Sequence, residues 1–261
     1  MDEYQRRMVQ TASRSCMAIF AAPNRNARPS DLTVNGSATL VELPSGKVLL
    51  TALHVWDGLR ECKQKNPSAV LAAQTRSGGQ PLALGELRLR DSNRQLDAAV
   101  VMTRRSNYIE SDGKAFFKPT TWPPTPPDRG DWIIVYGFPG LQRVPNIDSI
   151  SFYSVVFSGP VSSISDRQFV LAAEDGPRLL EQTANNVPCL GNLGGMSGSP
   201  AFKLAPDGLS LVGIVYEAQD GRNATILCWR VDYINAKGVF DRGRLPPLKR
   251  GKELRDGEIQ W

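Results

Sequence analysis

Short β-type runs separated by turn residues recur through most of this 261-residue chain, and so many short runs point to antiparallel sheets. In the first half they fall at 16–21, 38–43, 47–53, 69–74, 82–89 and 98–103, with Pro44-Ser45-Gly46 as a tight connection between the second and third. Then Pro119-Thr120-Thr121-Trp122-Pro123-Pro124-Thr125-Pro126-Pro127 intervenes. Proline fixes φ and lacks an N–H, so this run suits neither a helix nor a central strand and reads as an extended linker. Runs resume at 131–136, 149–156, 159–164, 169–172, 199–202, 209–216 and 225–230. The expectation is an all-β chain of two antiparallel six-stranded β-barrels, closed or nearly so, because closure removes the edges that short strands leave exposed. The divisions would be an N-terminal arm at 1–13, a first barrel at 14–118, the linker at 119–130, a second barrel at 131–240 and a charged tail at 241–261. Residues 2–13 read as a short polar helix, either packed on the body or presented to a partner.

Composition excludes several function classes. The net charge of +5 comes from 31 basic and 26 acidic residues, and the two signs are interspersed. With no clustered basic stripe, a nucleic-acid partner is not expected. No apolar run is long enough to span a bilayer, so no membrane partner is expected either. The opening Met1-Asp2-Glu3-Tyr4-Gln5-Arg6-Arg7 lacks the apolar core of a secretory signal, which points to a cytoplasmic address. Cys16, Cys62, Cys189 and Cys228 form no CxxC pair, so no metal is expected, and a cytoplasmic address favours free thiols. No cofactor is expected.

The chemistry gathers around Gly191-Asn192-Leu193-Gly194-Gly195-Met196-Ser197-Gly198-Ser199-Pro200. A serine in so glycine-rich a turn can have two backbone N–H groups converge beside its hydroxyl, as acyl transfer requires. A serine hydroxyl also needs a base, and His54, at the end of an apolar run, is the chain's one histidine. The imidazole needs a carboxylate to orient it. Asp97, set against Leu96, Ala98 and Ala99, is the best candidate, because an acid in apolar surroundings needs a partner.

The order His54, Asp97, Ser197 is one of the known triad orders. Thr51-Ala52-Leu53-His54, Leu96-Asp97-Ala98-Ala99-Val100 and Gly195-Met196-Ser197-Gly198-Ser199-Pro200 resemble the three active-site motifs of trypsin-like (chymotrypsin-fold) serine peptidases. The bacterial trypsin-like and HtrA-type branch is the most similar, although no PDZ-like segment follows. Gly130 to Gly140 and Leu211 to Val215 resemble further segments of the same family, so the likeness spans about residues 14–235. It implies two β-barrels with short peripheral helices and the triad at their junction. It also implies a serine endopeptidase, with Ser197 as nucleophile, His54 as base and Asp97 as orienting acid. The backbone N–H groups of Gly195 and Ser197 would form the oxyanion hole, and Ser199 would have a packing role. The substrate would be a protein or peptide, met by Asn192, Tyr216, Glu217, Ala218 and Ile226.

The departures from the pattern matter. Met196 stands where the secreted branch has an aspartate that anchors the freed N-terminus, so that ion pair is not available for activation. Tyr216 stands where a small serine usually supports the triad acid. Ile226 would narrow the pocket floor toward small or medium apolar side chains, whereas Glu217 could select basic ones. A regulatory protein partner is expected, contacting residues 1–13 or the loop at 140–150. The alternative from another class is a catalytically idle trypsin-like fold that binds protein.

Overall fold

The computed structural model describes residues 3–23, 34–74, 82–139, 143–145, 150–152, 154–172, 178–182, 193–205, 208–219 and 225–245. Antiparallel β-strands make up about half of it. Helix α1 (Glu3–Arg14) leads into β1 (Cys16–Ala22), β2 (Val34–Leu43) and β3 (Gly46–Ala52). Helix α2 (Leu53–Lys65) follows without a break, then β4 (Val70–Gln74), β5 (Leu82–Ala83), β6 (Leu87–Asn93), β7 (Ala98–Thr103) and helix α3 (Ser106–Ser111). Residues 118–131 carry neither helix nor strand.

Beyond them come β8 (Trp132–Gly137), β9 (Arg143–Pro145), β10 (Ile150–Phe152), β11 (Val155–Pro160), β12 (Ser163–Ile164) and β13 (Gln168–Ala172). The last strands are β14 (Arg178–Gln182), β15 (Pro200–Ala205), β16 (Gly208–Gln219) and β17 (Thr225–Arg230).

The first sheet has the order β5-β4-β1-β2-β3-β7-β6 and the second the order β12-β13-β17-β16-β15-β8-β11-β14, while β9 and β10 pair as a separate hairpin. Seven and eight strands therefore stand where six were expected in each. The expected run at 82–89 is broken at Leu84, which is fully buried and donates its amide to the Leu71 carbonyl. The strand before the break pairs with β4 and the strand after it with β7, at opposite edges of the sheet. Only residues 84–86 join them. Four residue steps reach about 14 Å at full extension, so the first sheet must curl until its edges approach. The second sheet curls for the same reason, because β11 lies near one edge, β12 forms the other, and residues 161–162 connect them. Edge-to-edge ladders are not among the described pairings.

The burial pattern follows from the curl. Alternate residues of β1 face opposite ways: Met17 and Ile19 join a core drawn from the first sheet with α2, while Cys16, Ala18 and Phe20 face a second core. That second core lies between the sheets and holds Val41, Leu50 and Val100 from one with Ile134, Phe202 and Trp229 from the other. A third, including Ile133, Val135, Phe157 and Phe169, belongs to the second sheet alone. Helix α1 buries Met8, Val9 and Ala12 against the central core and exposes Arg6 and Arg7, so it packs on the body. Of the expected tail, residues 246–261 lie outside the described residues. Among the described residues, no helix is long and apolar enough to cross a membrane.

Candidate active site

Strand pairing brings His54 and Asp97 together. β3 and β7 run antiparallel with Ala52 opposite Ala98, so the residues just after β3 meet the residue just before β7. His54 sits in the first turn of α2, not at the end of a strand as the apolar run suggested. Ala52, the residue that caps this helix, has no side-chain acceptor to offer. Asp97 supplies the acceptors: its carbonyl takes the Leu53 N–H and its Oδ1 takes the His54 N–H, both at 2.9 Å. The helix amide thereby fixes one carboxylate oxygen, and the other, Oδ2, lies 2.5 Å from His54 Nδ1. Asp97 reaches this position with φ at 50°, a left-handed conformation that aspartate tolerates better than most residues. The pair lines a cleft of about 330 Å³ together with Leu193, Gly194, Ser197, Tyr216, Glu217 and Ala218.

Ser197 is half-buried in a turn that two glycines make possible. Gly195 has φ 97° and Gly198 φ 99°, values that residues with a Cβ rarely adopt. A Cβ on Gly198 would fall 1.7 Å from the Ser37 carbonyl oxygen, so only glycine lets β2 approach the turn this closely. The Met196 N–H donates to the Leu193 carbonyl at 3.1 Å and the Gly198 N–H to that of Val215 at 2.7 Å. Neither the Gly195 nor the Ser197 N–H donates to any described residue. The Ser197 hydroxyl donates to the Tyr216 carbonyl at 3.0 Å. Among the described residues it has no bond to His54.

Three buried hydroxyls of the first sheet, which sequence reasoning did not single out, hold this turn from the other side. Ser37 donates its hydroxyl to the Gly195 carbonyl at 2.9 Å and its N–H to the Ser197 carbonyl at 2.8 Å. Thr39 Oγ1 donates to the Gly198 carbonyl, and Thr51 Oγ1 to that of Ser37, each at 2.8 Å. Buried hydroxyls need partners, so serine and threonine inside otherwise apolar strands were the available signal.

Met196 is fully buried and packs in the core of the second sheet, with Gly137 leaving room for its sulfur. Its place in the turn is set by apolar packing. Ser199 is also fully buried, and its hydroxyl finds no partner among the described residues. Tyr216 donates its phenol to Gln168 Oε1 at 2.6 Å and, among the described residues, makes no hydrogen bond to Asp97. Burial, aided by the charges of Glu217 and Asp97, pushes its pKa up, so it stays a donor. Ile226 is fully buried in the core that also holds Leu193 and is not among the cleft-lining residues. Asn192 lies outside the described residues, as do Cys189 and much of the 140–150 loop. Cys16, Cys62 and Cys228 form no disulfide with one another, and burial raises Cys16 to about 12. No three metal-ligating side chains cluster among the described residues.

No family model and no curated protein sequence matches the chain. Solved structures do. A thermostable serine protease, AL20, from an extremophilic microorganism superposes with a TM-score of 0.50 at 13% identity, covering 84% of this chain and 92% of that one. Deg5 superposes with a TM-score of 0.52 at 14% identity, covering 92% of this chain and 99% of that one. The fold is that of the trypsin-like serine proteases. At such identities the likeness speaks for the arrangement of the chain, and the chemistry must be argued from the residues.

Proposed function

We propose that the protein is a serine endopeptidase that hydrolyses peptide bonds through His54, Asp97 and Ser197 by way of an acyl-enzyme. The observation that carries this reading is the 2.5 Å contact of His54 Nδ1 with Asp97 on the wall of a cleft that also bears Ser197. With Nδ1 engaged, the histidine presents Nε2 as the remaining base. Ser197 Oγ attacks the scissile carbonyl carbon while its proton passes to Nε2, and Asp97 stabilises the imidazolium that forms. The new oxyanion is met by the N–H groups of Gly195 and Ser197, which have no other acceptor among the described residues. Collapse breaks the C–N bond, and His54 returns the proton to the leaving amine. Water then repeats the sequence on the ester and releases the acid. Each oxyanion donor in such a site typically contributes about 3–4 kcal/mol.

The substrate strand finds its place along β16, which pairs with β15 only as far as Ile214 and leaves the stretch from Tyr216 open toward the cleft. Ala218 and Leu193 favour small or medium apolar side chains there, and Glu217 on the same cleft favours basic ones; a peptide-library cleavage profile separates the two. A regulatory protein partner belongs to the same reading.

One observation favours the idle, protein-binding alternative: the Ser197 hydroxyl rests on the Tyr216 carbonyl. It must leave that acceptor before His54 can take its proton. A fluorophosphonate probe decides between the readings. The peptidase reading expects covalent labelling at Ser197, abolished in Ser197→Ala; no labelling, alone or with candidate partners, beside a reactive control peptidase sinks it.

A further inference from the structure

We infer that Ser37 is a positioning residue that sets the oxyanion-binding turn from the opposite sheet; this rests on the peptidase reading above. The peptide joining Gly194 to Gly195 carries a proposed oxyanion donor, and glycine on both sides lets it rotate at little steric cost. The next peptide, Gly195–Met196, is held at both ends: its N–H donates to the Leu193 carbonyl, and its carbonyl accepts the Ser37 hydroxyl. The direction of that hydroxyl proton follows from the partners. Phe138 N–H points at Ser37 Oγ at 3.4 Å and can only donate, while the Gly195 carbonyl can only accept.

Ser37 also grips the far side of the nucleophile, through its N–H on the Ser197 carbonyl at 2.8 Å. One fully buried residue therefore fixes the carbonyls on either side of Met196, and with them the plane from which the Ser197 N–H projects. Its own carbonyl is tied to Thr51, so the grip is anchored in β3, the strand that leads into His54. Ser37 touches neither substrate nor reacting atoms. It acts through the turn, and it makes the first sheet a contributor to both halves of the site.

The test compares wild type with Ser37→Ala, Ser37→Thr and Ser37→Cys on unfolded casein and a peptide reporter. Fluorophosphonate labelling and thermal unfolding are measured on each. Loss of the hydroxyl should lower kcat about 10-fold or more and leave KM within about twofold, because only oxyanion binding is disturbed. Inhibition by a peptide aldehyde, which places an oxyanion in the same turn, should weaken in step with kcat. Ser37→Thr, which keeps a hydroxyl, should restore most of the rate, and the weak thiol donor of Ser37→Cys should fall between. If Ser37→Ala does not fold, the ordering of the Cys and Thr variants gives the same reading. A reactive wild type whose Ser37→Ala variant keeps its kcat, or loses it only in proportion to KM, overturns the role of Ser37 alone. A wild type that neither labels nor cleaves overturns this role together with the peptidase reading.

Discussion

Ser197 and Ser199 stand two residues apart in one turn and have opposite surroundings. Ser197 borders the cleft, whereas Ser199 is sealed beside Gly137 with a hydroxyl that finds no partner among the described residues. Ser199→Ala should therefore retain activity and change stability by less than about 1 kcal/mol, since replacing an unsatisfied buried hydroxyl costs little. Casein cleavage and thermal unfolding of the purified variant check it. Asp97 does two tasks, orienting His54 and capping α2. Asn accepts a left-handed φ, so Asp97→Asn should fold, yet it offers Nδ1 the wrong group. On the peptidase reading its kcat should fall by about 10⁴-fold, the magnitude known for this change in a serine-protease triad, as measured by single-turnover acylation. At this scale the sequence was informative: the lone histidine, an acid in apolar company and a serine among glycines each name a chemistry. The buried hydroxyls Ser37, Thr39 and Thr51 gave no such sign, because their partners are backbone carbonyls about 14 to 159 positions away.

The turn bearing Ser197 depends on contacts that belong to β2 and β3. Gly198→Ala would place a methyl group against the Ser37 carbonyl at a backbone angle alanine avoids. It should cost about 3 kcal/mol or more and abolish labelling of Ser197, measured by urea unfolding and probe incorporation. Elements were legible where one pattern ruled. The runs at 98–103, 209–216 and 225–230 recur as β7, β16 and β17, with β16 one residue longer at its start and three at its end. Helix α2 was not legible. Val48, Leu49 and Leu50 run into Thr51 and Ala52 as one continuously buried strand, and nothing between Ala52 and Leu53 marks a stop or a capping side chain. The cap comes from Asp97 across the sheet. Likewise the break at Leu84 reflects a change of pairing partner, which no local propensity records.

The two sheets meet over a shared core, and Lys114 lies within the layer where α1 joins them. It is nearly buried, donates Nζ to the Ser13 carbonyl at 2.7 Å and stands over the Phe138 ring. Burial lowers its pKa to about 8, against smaller opposing effects of Cys16 and Asp112. Unfolded, the lysine keeps its proton until well above that value, so between the two the unfolded chain binds more protons and rising pH favours the folded state. From pH 7.5 to 9.0 wild type should gain about 1 kcal/mol relative to Lys114→Met, a difference in which the thiols, common to both, cancel. Urea titrations at the two pH values check it. At this scale two antiparallel β sheets were legible; the curl of each sheet was not, because it follows from which edges short links must join.

The hydroxyl stitches between the first sheet and the turn have a consequence for the life of such a molecule. His54 and Asp97 ride on one sheet and Ser197 on the other, and the stitches hold the seam between them. A partial opening that left each sheet intact would disperse the reactive groups before the chain unravelled. On the peptidase reading, a damaged copy is thus disarmed at the moment it becomes edible: it turns into prey for its neighbours and can no longer hunt.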